Sequence, residues 1–217
     1  LIPPVVEAPT FTIRRKALKI FTLDEYVASG IMTARQCEII KDAIRRHRNI
    51  LVVGSTGSGK TTLTNALIDY IAHAFPHERL VIIEDTAELQ CSSTNKVVLR
   101  ATDQVDMLRL LKATMRLRPD RILVGEVRGP EALALLKAWN TGHPGGLATV
   151  HADDGALGLL RLEELVSEAS VTPRHQTIAR TIHYVVYIAK TDEGRRVKEI
   201  VSVQGHDGTT YITTNED

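Results

Sequence analysis

The sequence predicts an α/β protein: a mostly parallel sheet covered by helices on both faces, closed by an antiparallel meander. Three observations predict it. From residue 49 onward, short β-branched runs alternate with helical stretches, the rhythm of strand–helix–strand units that build parallel sheets. The runs ILVV at 50–53 and ILV at 122–124 have no polar alternation, as strands buried on both faces require. Finally, HYVVYIAK, RRVKEIVSV and TTYITT follow one another with the turn residues TDEG after the first, a pattern of antiparallel strands at one edge.

Each element follows from its local pattern. The opening LIPPVVEAP carries three of the eight prolines. Residues 1–20 are expected to be the end of an N-terminal domain and its linker, with FTIRRKALKI starting in a strand-like way. The main domain is expected over 21–217, with its motif core at 49–155. LDEYVASGIMTARQCEIIKDAIRRHR reads as two helices broken near Gly30, the second capped by Thr33. Then come the strand NILVVG, the helix KTTLTNALIDYIAHAF, and the strands RLVIIED and KVVLRA. The helix VDMLRLLKATMRL, strand RILVGE, helix PEALALLKAW, strand LATVHA and helix GALGLLRLEELVSEA complete the alternation. No repeat or low-complexity tract interrupts it.

Composition narrows the function classes. The 217 residues hold 27 Lys and Arg against 26 Asp and Glu, a formal net charge of +1, so no global basic field favours nucleic acid or a membrane surface. Aromatic residues make up only 4%, which leaves no stacking platform for single strands. No direct DNA binding is evident. No apolar run approaches the roughly 20 residues of a membrane span, and a cytoplasmic location is expected. Cys37 and Cys91 stand far apart without a CxxC or His-rich neighbourhood, so they are expected to be idle or buried thiols.

The chemistry concentrates at GSTGSGKTT, residues 54–62. It fits GxxxxGK followed by Thr, directly after an apolar strand and before a helix, the context that a phosphate-binding loop requires. Gly54, Gly57 and Gly59, with Ser55, Thr56 and Ser58 between them, let backbone N–H groups and the positive helix end surround an anion. Lys60 is expected to reach the β- and γ-phosphates of a nucleotide and Thr61 to ligate Mg²⁺, with Thr62 in support. A glycine-rich turn without a ligand is the bland alternative.

Two later strands end in acids. RLVIIED ends in Glu84 and Asp85, RILVGE in Glu126. In P-loop ATPases with an extra strand between the cradle strand and the acidic strand, the water-polarising acid lies on the third strand of the series. That is Glu126, for which an ion pair with Arg128 or Arg121 is the competing reading. Gly125 stands where many such ATPases carry a metal-holding aspartate, so Glu84, Asp85 or Glu88 must supply that charge, Asp85 being the expected metal ligand. Capping of a strand end is their alternative. His151 ends LATVHA on the cradle's edge of the sheet, where ligands of open α/β sheets sit. From there it would sense the γ-phosphate or contact Glu126. The glycine-rich connection 142–146 is expected to be close-packed and to move with nucleotide state. Arg116, Arg118, Arg121 and Arg128 surround the same strand, and Arg14 and Arg15 precede the core. Any of these guanidiniums would neutralise a transferring phosphoryl group or form a surface ion pair.

GSTGSGKTT, VIIEDTAELQ, MRLRPDRILVGEVRGPEA and GGLATVHAD, in this order over residues 49–155, resemble the motifs of the secretion and traffic ATPases of type II and type IV secretion, pili and conjugation. The conjugal-transfer branch is the most similar. The resemblance implies a RecA-like ATPase that binds ATP and Mg²⁺. It implies a homo-oligomeric ring, commonly a hexamer, on the cytoplasmic face of the inner membrane among the inner-membrane components of a conjugative channel. Residues 54–62 would be the Walker A, 84–88 the acidic box, Gly125–Glu126 an atypical Walker B and His151 the histidine box. Arg14 and Arg15 match arginines of the interdomain segment. The expected function is an ATP-hydrolysing motor for channel or pilus assembly or substrate transfer. A DNA-stimulated helicase or recombinase, a small-molecule kinase and a nucleotide-gated scaffold are the other readings of a P-loop core.

Overall fold

The computed structural model describes residues 1–13 and 19–217. Arg14 and Arg15 lie outside the described residues. Residues 11–13, expected to begin a strand, form none.

Two helices come first, α1 (Leu23–Ala28) and α2 (Ala34–Arg45), each started by a reciprocal capping box. Thr22 pairs with Glu25 and Thr33 with Gln36, satisfying N–H groups that the first turn leaves without intrahelical partners. The alternating unit follows as β1 (Ile50–Val53), α3 (Lys60–Ala74), β2 (Leu80–Glu84), β3 (Lys96–Arg100), α4 (Met107–Thr114), β4 (Arg121–Val124), α5 (Glu131–Asn140), β5 (Leu147–Val150) and α6 (Gly155–Ser167). A short helix not foreseen from the sequence, α7 (His175–Thr181), precedes β6 (Tyr184–Thr191), β7 (Gly194–His206) and β8 (Tyr211–Asn215). Its seven residues bury only Ile178, Ala179 and Thr181, too short an apolar stripe to give a helical period.

One eight-stranded sheet holds the strands in the order β3-β2-β4-β5-β1-β6-β7-β8. The pairs from β3 across to β6 are parallel, and β6–β7 and β7–β8 are antiparallel. The meander therefore continues the parallel sheet, with β6 hydrogen-bonded to β1 on one side and β7 on the other. Successive residues of a strand face opposite sides of the sheet, and each central strand feeds two cores. Leu51, Val53, Val81 and Ile83 pack with α4–α7, while Ile50, Val52, Leu80 and Ile82 pack with α1–α3. This is why ILVV and LVIIE show no polar alternation.

The amino ends of the parallel strands are tied down by a buried cation. Arg121, fully buried at the start of β4, donates to Glu78 at 2.5 Å and to the carbonyls of Gly145 and Ile44 at 3.2 Å each. It also lies over the Phe75 ring. Its charge is thus paired and hydrogen-bonded, the condition for burying one. Arg121 is not a neighbour of Glu126. Arg116 and Arg118, which the sequence places around the same acid, are exposed and precede β4. They stand at the amino edge of the sheet, a strand length from the acid. The glycine-rich connection 142–146 leads into the amino end of β5, so it too lies at the edge opposite residues 54–62. It is held by Gly146 N–H donating to Asn49 Oδ1 at 2.9 Å and by the His143 ring against Pro119 O at 2.8 Å. The expected link to nucleotide state therefore has no direct contact with residues 54–62 behind it.

Candidate active site

At the carboxyl edge of the parallel strands, residues at and just beyond the ends of β1, β2, β4 and β5 line one cleft of about 370 Å³, within the size range of small-ligand pockets. Thr56, Gly57, Gly59, Lys60, Thr61, Thr62, Glu84, Asp85, Glu88, Glu126, Arg128 and His151 all border it. Open α/β sheets bind ligands at this edge because connections diverge there. Here β1 lies between β5 and β6, while its own continuation crosses to β2.

The loop after β1 is shaped for close approach. A Cβ on Gly54 would meet Ile188 O at 2.3 Å and Ser58 Oγ at 2.5 Å, so only hydrogen fits. Gly59 has φ 107°, a left-handed conformation that glycine adopts without steric cost. As the N-cap of α3 it offers no side-chain oxygen, which leaves the first N–H groups of the helix without a side-chain cap and able to meet an anion. Ser58 Oγ is buried without a hydrogen-bond partner among the described residues. Ser55 contributes its carbonyl: Lys60 Nζ donates to Gly54 O at 2.7 Å and Ser55 O at 3.0 Å, and meets His151 Nδ1 at 3.2 Å. Burial lowers the Lys60 pKa, opposed by the charge of Glu126.

Glu126 follows β4 and is gripped from two sides. Arg128 Nη2 lies 2.6 Å from its Oε2, and His151 Nε2 lies 2.8 Å from its Oε1. Lys60 carries only donors, so the Nδ1 facing it is the acceptor and the Nε2 proton faces Glu126. His151 thereby links the cradle lysine to the acid. Arg128 spans a second gap, with Nη1 2.6 Å from Asp85 Oδ2. The ion pair foreseen for Glu126 is thus formed with Arg128 and not with Arg121. A Cβ at Gly125 would stand 3.4 Å from the Glu84 Cβ, so an aspartate there would abut a buried carboxylate.

The three acids after β2 have different surroundings. Glu84 is buried and accepts from the N–H groups of Glu88 and Leu89 at 2.9 Å each, so it shapes the loop. Asp85 is committed to Arg128 and to Thr86 N–H. Glu88 Oε2 accepts from the Thr61 hydroxyl at 3.1 Å. The structure thus sets Glu88, and not Asp85, against the residue expected to hold a metal. Asn65, one turn beyond Thr61 on α3, braces the same loop: its Nδ2 donates to Glu88 O at 3.1 Å and its Oδ1 accepts from Gln90 N–H at 2.9 Å. The sequence reading missed Asn65, although its i,i+4 spacing from Thr61 is a usable signal. It also missed Thr149, whose hydroxyl bonds Gly125 O at 2.7 Å, and Arg195, which reaches the cleft from β7.

The model of the type II/IV secretion system protein family matches residues 2–201. The probable conjugal transfer protein TrbB of Sinorhizobium fredii is 55% identical over 204 residues, covering 94% of this chain and 63% of that protein. The conjugal transfer protein TrbB of Rhizobium radiobacter is 52% identical over 213 residues, covering 98% and 66%. The chain thus spans just under two-thirds of the length of these relatives. Among solved structures, the VirB11 ATPase of the Brucella suis type IV secretion system, in complex with sulphate, matches with a TM-score of 0.71 at 28% identity, covering 87% of this chain and 60% of that one. The pilus retraction motor PilT shares the fold, with a TM-score of 0.62 at 18% identity. The family model and the conjugal-transfer relatives together place this chain in the type II/IV secretion system protein family.

Proposed function

We propose that this chain is the ATP-hydrolysing core of a conjugative type IV secretion motor, with residues 21–217 as the ATPase domain. The observation that carries the reading is Glu126, held between His151 and Arg128 in the same cleft as the loop of residues 54–62. The loop backbone and Lys60 bind the phosphates. Glu126, fixed by two partners, orients the attacking water and takes its proton. His151 keeps Glu126 and Lys60 in register, and Arg128 balances the charge between Asp85 and Glu126.

The donor set fits Mg²⁺, which keeps several waters and needs only one or two protein oxygens: the Thr61 hydroxyl and the Glu88 carboxylate are adjacent. Bound there, the ion supplies charge neutralisation on the phosphate oxygens. Glu84 and Asn65 hold Glu88 at that position.

The relatives support a place in conjugation or type IV secretion, and the proposed assembly is a homo-oligomeric, hexameric ring in the cytoplasm, docked on inner-membrane channel components. Among the described residues no helix is long and apolar enough to cross a membrane.

Steady-state ATP hydrolysis with and without Mg²⁺, beside Glu126→Gln, tests the proposal. The expected result is Mg²⁺-dependent turnover that falls by about 10²–10⁴-fold in the variant, with nucleotide binding retained. Turnover unchanged by Glu126→Gln would overturn the assignment.

A further inference from the structure

We propose that Arg195 is a nucleotide-binding residue, a second cation of the cradle that contacts the diphosphate of the bound nucleotide from the side of β1 opposite Glu126 and His151. The proposal rests on the ATPase reading and extends it to a residue outside the four linked motifs.

The hairpin of β6 and β7 abuts the phosphate-binding loop. Ile188 O fills the space beside Gly54, and the Arg195 Cδ lies 2.8 Å from where a Cβ on Gly59 would stand. The aliphatic stem of Arg195 therefore lies on the last glycine of the loop. Its Nη2 donates to Gly57 O at 3.3 Å, and the residue lines the same cleft as Lys60 and Thr61. Its base is fixed: Val197 N–H donates to Ile31 O at 2.7 Å, Gln36 donates to Val197 O at 3.3 Å, and Thr191 closes the turn on Gly194 O at 2.8 Å. Arg195 thus projects from a braced strand.

Charge pairing separates it from the other cleft cations. Arg128 is engaged by Asp85 and Glu126, and Lys60 spreads its three donors over Gly54, Ser55 and His151. Arg195 forms no ion pair with a carboxylate among the described residues. A guanidinium has five N–H donors in a planar fork that matches two phosphate oxygens at once, and the single bond to Gly57 O engages one nitrogen. The carboxylate nearest in sequence, Glu193, leans toward Arg196 at 3.7 Å. Strand order completes the picture: β5, leading to His151, and β6, leading to Arg195, flank β1 on opposite sides, so a phosphate on the loop is met from both.

Calorimetric titration of ADP and of inorganic pyrophosphate into the wild-type chain, Arg195→Gln and Lys60→Ala tests this. The expected result is that Arg195→Gln weakens both ligands about tenfold or more, the size of a lost charge-assisted hydrogen bond, with an unchanged ligand-free melting temperature. Arg195→Lys should recover part of the loss. Equal affinities for wild type and Arg195→Gln overturn the proposal, as does a loss for ADP without one for pyrophosphate, which would put Arg195 on the base or ribose. Should the glutamine variant prove unstable, Arg195→Met keeps the stem against Gly59 and reads the same way. A wild-type chain that binds ADP no better than Lys60→Ala would sink the ATPase reading itself, and this proposal with it.

Discussion

Asn65 carries no chemistry, yet it grips both ends of the Glu88 segment from α3, with Glu84 holding the same segment from below. Substituting Asn65→Ala leaves the Gln90 N–H and Glu88 O without that partner at a half-buried position, a cost of about 1–3 kcal/mol readable by urea denaturation. The same change frees Glu88 to move from Thr61, so the Mg²⁺ concentration for half-maximal hydrolysis should rise several-fold while nucleotide affinity without metal stays the same. An unchanged Mg²⁺ requirement would mean that Glu88 does not serve the ion. Residues 54–62 were legible because a phosphate loop is a local device: nine consecutive residues and their two flanks carry the whole signal. Arg195 was illegible for the opposite reason, since its partner Gly57 lies 138 positions away and RRV in a meander looks like any exposed strand. The acids fall between these cases. That they gather at one edge follows from the strand pattern, but which of Glu84, Asp85 and Glu88 faces Thr61 depends on loop hydrogen bonds that no period encodes.

Among the elements, the junction of α7 with β6 has its own pH dependence. His183 accepts the Asn49 N–H on Nδ1 at 3.0 Å, which requires the neutral ring, and burial together with nearby Arg48 lowers its pKa from 6.5 to about 4. Between those two values the unfolded chain takes up a proton that the folded chain refuses, so stability falls as pH falls from 6.5 toward 4. At pH 7 the contribution is fully present, and by about pH 4.5 on the order of 2 kcal/mol should be gone. Denaturant titrations at several pH values should show His183→Gln losing that part of the acid slope; parallel slopes for the two proteins would refute the assignment. The short α7 beside it was the helix the sequence did not announce, whereas α3, with nine buried residues in fifteen, announced itself by length and periodicity. Burial follows amphipathic period only where an element is long enough to display one.

For the whole molecule, the proposed ring makes hydrolysis a property of assembly. Such a ring would place the cleft at a subunit boundary, so the rate per chain should climb with protein concentration and level off when the ring is populated. Sedimentation at the same concentrations should show the mass rising over the same range; a rate per chain that stays flat while mass rises would separate catalysis from assembly. The α/β class and its terminal meander were legible because hydrophobic pattern and strand–helix alternation dictate them. The mode of assembly was not, since nothing in a single chain's pattern marks which exposed face meets its copy. Within the chain, the two cores on either side of the sheet serve the site as a vernier. Gly54, Asp85, Glu126 and His151 all fall one or two residues beyond the last buried position of their strands, and a slip of one residue in any strand would exchange its contributions to the two cores. It would also move the reacting group by about 3.3 Å, more than the length of the hydrogen bonds that join Lys60, His151 and Glu126. The alignment of the polar groups is therefore enforced from the apolar side: oil on both faces of the sheet sets the zero of the scale on which the charges are read.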